Sequence, residues 1–184
     1  MRVIAGSAKG RQLRSVPGAG TRPITDRVKE SLFDILDGDV VDSVWWDMFA
    51  GTGAVGIEAL SRGAAHVRFT ELHDAAIRTI KANLSTTNLS ARAETRRVDS
   101  FSLLAAPADR TYHYVYVAPP QYQGLWSRAL LALDQNLEWL TPDGWAIAQV
   151  DPKEYLPLQT MHLHEFDKRR YGTTLLLFYA RAAT

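Results

Sequence analysis

DMFAGTGAVG, residues 47–56, is the stretch that decides the predicted fold of this chain. An apolar run over residues 44–48 leads into it, and a helical pattern follows it. Gly51, Gly53 and Gly56 satisfy the spacing G-x-G-x-x-G. A strand that enters a helix through such a turn is typical of α/β proteins that seat a nucleotide at the helix N-terminus. The motif alone is weak, and it does not say which nucleotide is bound.

Acidic residues stand at the ends of three successive predicted strands. Asp47 ends the first strand, Glu71 ends the second where a ribose-binding acid belongs, and Asp99 follows the third. A carboxylate directly before the glycine turn would repel a pyrophosphate, whereas S-adenosylmethionine (SAM) carries a sulfonium and an ammonium group and no phosphate. The acids therefore favour SAM over a nicotinamide or flavin nucleotide. Asp99 is suited to accept from an adenine amino group, or to cap the helix after it.

Outward from this turn, strand and helix patterns alternate. Strands are predicted over residues 44–48, 66–71, 93–98, 112–117 and 145–150, and helices over 54–62, 74–84, 101–105 and 125–140. An earlier helix begins after Thr25 and ends near Gly38. Repeated strand–helix units predict an α/β fold, a mostly parallel sheet covered on both faces. Two final strands, 161–166 and 173–180, are joined by a short loop and must therefore be antiparallel.

A basic extension precedes these elements. Residues 1–22 contain no acidic side chain and are predicted to be distinct from a domain over 23–184. Val3-Ile4-Ala5 and residues 11–14 are expected to pair as a short hairpin. Charge of a single sign favours contact with nucleic acid, and the alternative is a solvated, partly disordered arm.

The composition is that of an ordinary globular domain. The chain has 184 residues, of which 46% are hydrophobic, and a formal net charge of +1, so any nucleic-acid surface must be local. It has no cysteine, which excludes thiolate metal sites and disulfides. His162 and His164 have no further ligand at a recognisable spacing, so no metal is expected. No run has a signal-peptide core or the ~20 apolar residues of a membrane span, and we expect a soluble cytoplasmic protein.

Three longer segments resemble one family. TDRVKESLFDIL (25–36), DMFAGTGAVGIEALSRGA (47–64) and RRYGTTLLLFYA (169–180) resemble the RsmD family, whose members use SAM to methylate the N2 amine of a guanine in bacterial small-subunit (16S) ribosomal RNA. The resemblance covers almost the whole chain. It implies a class I SAM-dependent methyltransferase fold, Rossmann-like, with a seven-stranded sheet whose last strand is antiparallel. It also implies S-adenosylhomocysteine as product and ribosomal RNA or the small-subunit particle as partner. We expect a monomer.

The resemblance places the cofactor and the RNA on particular residues. Cofactor contacts are expected at Asp47, Phe49, Gly51, Thr52, Gly53, Glu71, Leu72, Asp99 and Ser100. RNA contacts are expected from the charge of the extension at Arg2, Lys9, Arg11, Arg14 and Arg22, and from the resemblance at Arg22 and Arg27.

The expected catalytic loop departs from the family pattern. The family usually has Asp or Asn followed by Pro-Pro-Tyr, whereas this chain reads VYVAPPQY over residues 115–122. Ala118 takes the polar place, Pro119 and Pro120 match, and Gln121 precedes Tyr122. Our hypothesis is that Gln121 replaces the lost acceptor and Tyr122 the stacking ring. The alternatives are an enzyme of this fold that acts on another RNA base or a protein nucleophile, and a SAM- or RNA-binding protein without turnover.

Overall fold

The computed structural model describes residues 1–18 and 23–182, and a single sheet organises them. The strands are β1 Val44–Asp47, β2 His66–Glu71, β3 Ala93–Arg97, β4 Tyr112–Val117, β5 Leu140–Val150, β6 Leu163–Tyr171 and β7 Thr174–Arg181. The α-helices are α1 Asp26–Leu36, α2 Ala54–Ser61, α3 Asp74–Thr87, α4 Ser100–Leu104 and α5 Leu125–Gln135. Three short 3-10 helices cover Asp37–Val40, Ser90–Arg92 and Leu137–Trp139.

The seven strands lie in the order β3-β2-β1-β4-β5-β7-β6. The first five are parallel, and β7 is antiparallel to both β5 and β6. This confirms the class I, Rossmann-like fold with an antiparallel last strand. Because Val150 pairs with Leu175, the turn between β6 and β7 lies at the edge where the parallel strands have their carboxyl ends.

Adjacent tryptophans in β1 separate the two layers of the core. Trp45 and Trp46 are both fully buried, and because strand side chains alternate they lie on opposite faces of the sheet. Trp45 packs beside Phe33 of α1, at 5.5 Å between ring centroids, in the layer that includes α2 and α3. Trp46 packs against Trp139, at 5.0 Å, in the layer that includes α4 and α5. Both rings therefore belong to the core.

The third glycine of the turn sets how closely α2 approaches the sheet. A Cβ atom added at Gly56 would lie 2.3 Å from Cε1 of Phe69, a β2 residue. Real carbon atoms do not approach so closely, so only glycine allows this helix–strand distance. The close approach brings the start of α2 against the end of β1.

Three predicted boundaries around β5 and β6 were wrong, and one of them is the start of β5, which was predicted at residue 145 and lies at Leu140. The helix predicted over 125–140 ends at Gln135, because residues 137–139 form a 3-10 turn that buries Trp139 and β5 begins at Leu140. The strand predicted over 161–166 continues as β6 to Tyr171. It is an edge strand that pairs only with β7, so it can carry the basic run 168–170, which no apolar alternation marks.

The N-terminal segment folds back on itself as predicted, but the pairing is a single antiparallel bridge between Arg2 and Gln12 and does not include residues 4 and 5. The Val3 N–H donates to the Arg11 carbonyl at 3.0 Å, the Gly10 N–H donates to the Val3 carbonyl at 2.9 Å, and the Leu13 N–H donates to the Met1 carbonyl at 3.1 Å. Val3 and Leu13 are buried in the core layer of α1, α2 and α3. The solvated, partly disordered arm is therefore the wrong description for residues 1–18.

Candidate active site

The glycine turn leaves one side open to a ligand. Gly51 and Gly53 have φ angles of 53° and 78°, which favour glycine, and the Gly53 N–H donates to the Ala50 carbonyl at 2.7 Å. No atom lies within 4 Å of where a Gly51 Cβ would stand. At Gly53 the same position meets side chains at 3.3–3.4 Å. The free space beside the turn is therefore at Gly51.

Asp47 lies behind the turn and is buried. Its Oδ2 accepts a hydrogen bond from the Gly56 N–H at 3.2 Å, in the first turn of α2. Burial raises the pKa of this carboxyl to about 7, with nearby Glu71 adding to the rise and the Gly56 bond opposing it. One oxygen of Asp47 is thus bound to the helix, and a nearby cation would favour the ionised form.

Glu71 joins the end of β2 to the glycine turn. Its Oε2 accepts from the Gly51 N–H at 3.1 Å, and its Oε1 accepts from the Leu72 N–H at 2.8 Å. The carboxylate is partly exposed, and the neighbouring Leu72 side chain is 53% exposed. An acid and an apolar side chain therefore stand together where a nucleoside would bring hydroxyls and a flat ring.

The residues after β3 are held by bonds within the protein. The Asp99 Oδ1 accepts from the Phe101 N–H at 2.9 Å, so this acid caps α4. The Ser100 hydroxyl is buried and bonds to the Met48 carbonyl and to Thr70 Oγ1. Capping leaves Asp99 its second oxygen. Ser100 can meet a ligand only through its backbone, because its hydroxyl is used inside.

Two further cofactor candidates line the same turn. Phe49 is half-buried and packs edge-on against Phe101, at 5.8 Å between ring centroids. The Thr52 carbonyl accepts from Asn83 Nδ2 at 3.0 Å, and Thr52 Oγ1 lies 3.6 Å from Met1 Sδ. The first residue of the chain therefore reaches the glycine turn.

The catalytic-loop candidates follow β4 at the same edge. Ala118 is half-buried and Pro119 is buried, whereas Pro120, Gln121 and Tyr122 are exposed. Within residues 1–18 and 23–182, the Gln121 side chain has no hydrogen-bond partner. The Gln121 amide is therefore available to a substrate, and Ala118 contributes only its backbone.

Tyr122 is exposed yet firmly held. Its N–H donates to Glu154 Oε1 at 2.6 Å, and its hydroxyl donates to Asp151 Oδ2 at 2.8 Å. The residue has a φ of 61°, a left-handed conformation that costs a non-glycine residue energy, and its side chain is 64% exposed. A ring fixed in this way can serve as a platform for a flat base.

Asp151 and Glu154 were missed in the sequence analysis. They follow β5, which pairs directly with β4, so their carboxylates lie beside the catalytic loop. Asp151 is almost buried, and its other oxygen accepts from the Lys153 N–H at 2.8 Å. The available signal was an acid at the end of a predicted strand, the same signal that selected Asp47, Glu71 and Asp99.

The predicted RNA contacts lie on the hairpin and at the start of α1. Lys9, Arg11 and Arg27 are exposed, and exposed Arg2 pairs with Asp26 at 3.3 Å. Arg22 lies outside the described residues. These exposed side chains are therefore accessible to a polyanion.

Arg14 connects the basic extension to the glycine turn. Its N–H donates to Asn83 Oδ1 at 2.8 Å, and its carbonyl accepts from Asn83 Nδ2 at 3.1 Å. Since the same Nδ2 bonds to the Thr52 carbonyl, Arg14 and the glycine turn are held to one side chain of α3.

The charge and the open space of the site fit a cationic nucleoside. Two carboxylates, an open glycine backbone and an exposed apolar side chain converge at the carboxyl ends of β1 and β2. Within residues 1–18 and 23–182 no group of acids and histidines could hold a metal ion. No helix in the described part of the chain is long and apolar enough to cross a membrane.

Comparisons with known proteins agree with this geometry. The family model described as conserved hypothetical protein 95 matches residues 1–180. A Bacillus subtilis relative, YlbH, named as a candidate rRNA methyltransferase, is 39% identical over 98% of this chain and 99% of its own length. Ribosomal RNA small subunit methyltransferase D of Escherichia coli is 34% identical, over 100% of this chain and 91% of its own. A solved Escherichia coli chain named as a candidate methyltransferase superposes with a TM-score of 0.88 at 32% identity, covering 100% of this chain and 99% of that one.

Proposed function

We infer the activity from one premise: this chain belongs to the RsmD family of methyltransferases. The reaction is methylation of ribosomal RNA, with SAM as the methyl donor and S-adenosylhomocysteine as the product. Within that reaction we assign the exocyclic N2 amine of a guanine in small-subunit RNA as the acceptor. The observation that carries the proposal is the exposed, doubly anchored Tyr122 ring beside a half-buried diproline loop.

The cofactor is held at the carboxyl ends of β1, β2 and β3. Asp47 and Glu71 attract its positive charge, and the open side of Gly51 lets its backbone approach. Leu72 and Phe49 offer apolar contact to the adenine, while Asp99 accepts from its amino group with the oxygen that does not cap α4. Thr52, Gly53 and the backbone of Ser100 complete the lining. When bound, SAM supplies an electrophilic methyl group.

The chain's own residues make the amine reactive. A guanine amine is a poor nucleophile because its lone pair is delocalised into the ring, and acceptors that bond its hydrogens allow the nitrogen to pyramidalise. The Ala118 and Pro119 carbonyls are presented rigidly because proline fixes φ. Gln121 contributes the side-chain acceptor that Ala118 lacks, and Tyr122 stacks on the base.

Binding of RNA falls to the basic extension and α1. A base within a duplex must leave its stack to reach the site, and neighbouring phosphates must be held while it does so. Exposed basic side chains of Arg2, Lys9, Arg11, Arg14 and Arg27, with Arg22 beside them in sequence, supply this contact.

The test is methyl transfer to small-subunit RNA that lacks the modification, followed by digestion and mass spectrometry of the nucleosides. Wild type is expected to produce N2-methylguanosine. Gln121→Ala is expected to lower the rate about 10²-fold, the size of one lost hydrogen bond to the reacting group, with SAM binding unchanged. Gln123→Ala is the matched control, because Gln123 is also exposed and lies two positions later.

Other outcomes lead to different conclusions. Equal rates for Gln121→Ala and wild type would remove Gln121 from the mechanism. A different methylated nucleoside would indicate another acceptor. This is the second candidate function, because Ala118 stands where the family has an acid or amide. Binding of SAM and RNA without transfer would identify a binding protein.

A further inference from the structure

We propose that Arg27 and Arg170 form a binding site for one phosphate of the RNA, an assignment that rests on the proposed ribosomal RNA substrate. A cavity of about 230 Å³ separates the start of α1 from the turn between β6 and β7. Its lining residues are Thr25, Arg27, Val28, Arg170, Tyr171 and Gly172. One arginine from each element therefore faces the same small space.

The sheet places this cavity at the active-site edge. Arg170 pairs with Leu175, and Leu175 pairs on its other side with Val150. Val150 is followed directly by Asp151, which bonds to the Tyr122 hydroxyl. The arginine of β6 is thus two strands away from the residue that anchors the proposed stacking ring. A phosphate held here would belong to a nucleotide near the one in the site.

Two carboxylates near these arginines in sequence are engaged elsewhere. Asp26 pairs with Arg2 at 3.3 Å, and Asp167 pairs with Arg169 at 2.9 Å. Among residues 1–18 and 23–182, no carboxylate forms an ion pair with Arg27 or Arg170. Neither arginine at the cavity is therefore paired with a carboxylate among these residues.

The guanidinium of Arg170 is already oriented. Its Nε donates to the Gly172 carbonyl at 3.2 Å, across a turn in which Gly172 has a φ of 61°. This bond uses one of the five N–H donors of the side chain. Paired arginine donors match the oxygens of a phosphate in a way that a lysine ammonium does not.

The test uses the double variant Arg27→Gln with Arg170→Gln. Its affinity for small-subunit RNA is measured by fluorescence anisotropy. The expected result is about tenfold weaker binding, as for the loss of a charge-assisted contact, and a salt slope of log K reduced by about one. The affinity for S-adenosylhomocysteine and the melting temperature should not change. Arg27→Lys with Arg170→Lys should keep the salt slope and recover only part of the affinity.

Arg110→Gln is the matched control. Arg110 is exposed and precedes β4, so it lies at the opposite edge of the sheet, and its loss should leave RNA affinity unchanged. Equal affinity and slope for the double variant, with wild type binding and methylating RNA, would overturn the phosphate site alone. Failure of wild type to bind RNA would overturn the proposed function as well. Arginine-dependent binding of inorganic phosphate with unchanged RNA affinity would assign the cavity to a small anion instead.

Discussion

At the scale of single residues, Asp47 is an acid with an observed role in the fold and a proposed role toward a ligand. Its position before the glycine turn favours a cationic nucleoside, and this was legible in the sequence. The structure adds that the carboxyl is buried and bonds the first turn of α2 through Gly56. The cost of burying its charge is visible as a raised pKa.

This raised pKa predicts a pH-dependent stability difference between wild type and Asp47→Asn. The pKa of Asp47 is about 7 in the folded protein and 3.8 in the unfolded chain, so between these values the folded state binds more protons. The free energy of unfolding of wild type therefore falls, relative to the variant, as pH rises from 4 to 7, by up to about 4 kcal/mol. Denaturant unfolding at pH 4, 5.5, 7 and 8 measures this.

The asparagine variant is a fair comparison because its side-chain oxygen can still accept from the Gly56 N–H. Above pH 7 the difference should level off, since both states are then ionised. Parallel curves for the two proteins across the whole range would contradict an unusual pKa at Asp47.

At the scale of elements, one buried acid ties the hairpin, α1 and α2 together. Glu58 of α2 accepts from the N–H groups of Ile4 and Ala5 at 2.8 and 3.0 Å. It also contacts Lys29 Nζ at 3.1 Å and Arg62 Nε at 2.8 Å, and both Glu58 and Lys29 are fully buried. Burial lowers the pKa of Lys29, and Glu58 opposes that shift. The boundary at residue 22 stays a prediction, but residues 1–18 pack with the domain as part of its core.

We predict that Glu58→Gln destabilises the protein by about 3–5 kcal/mol, because it leaves the buried Lys29 charge without a counter-charge. The loss should be measured by denaturant unfolding, with hydrogen exchange at Ile4 and Ala5 as a local readout. Adding Lys29→Met should restore part of the stability, since the stranded charge is then removed. Unchanged exchange protection of the hairpin in Glu58→Gln would show that this acid does not hold it.

At the scale of the whole molecule, a nearly neutral chain places several acids and two arginines at one edge of the sheet. The formal net charge is +1, yet acids lie inside the carboxyl edge and arginines lie around it. Such a division suits a cationic cofactor within and a polyanion outside.

This arrangement predicts ligand-selective stabilisation of the whole fold. SAM or S-adenosylhomocysteine at about 100 times its dissociation constant should add about 2.7 kcal/mol to the free energy of unfolding, seen as a rise of several degrees in Tm. NAD and FAD should give no rise, because their phosphates would meet Asp47 and Glu71. A rise with NAD, and none with SAM, would refute the electrostatic argument for the cofactor.

The chain of residues alone was sufficient for the alternation of strands and helices, the cap at Thr25, the glycine turn and the acids at three strand ends. These features follow from the local spacing of residue types, because short-range sterics and hydrogen bonds determine them. Tertiary structure alone decided that β6 extends to Tyr171, that Glu58 is the junction of three elements, and that Asp151 anchors Tyr122. Those features depend on residues that are distant in the chain. The order of strands in the sheet and burial in the core bring these residues into contact.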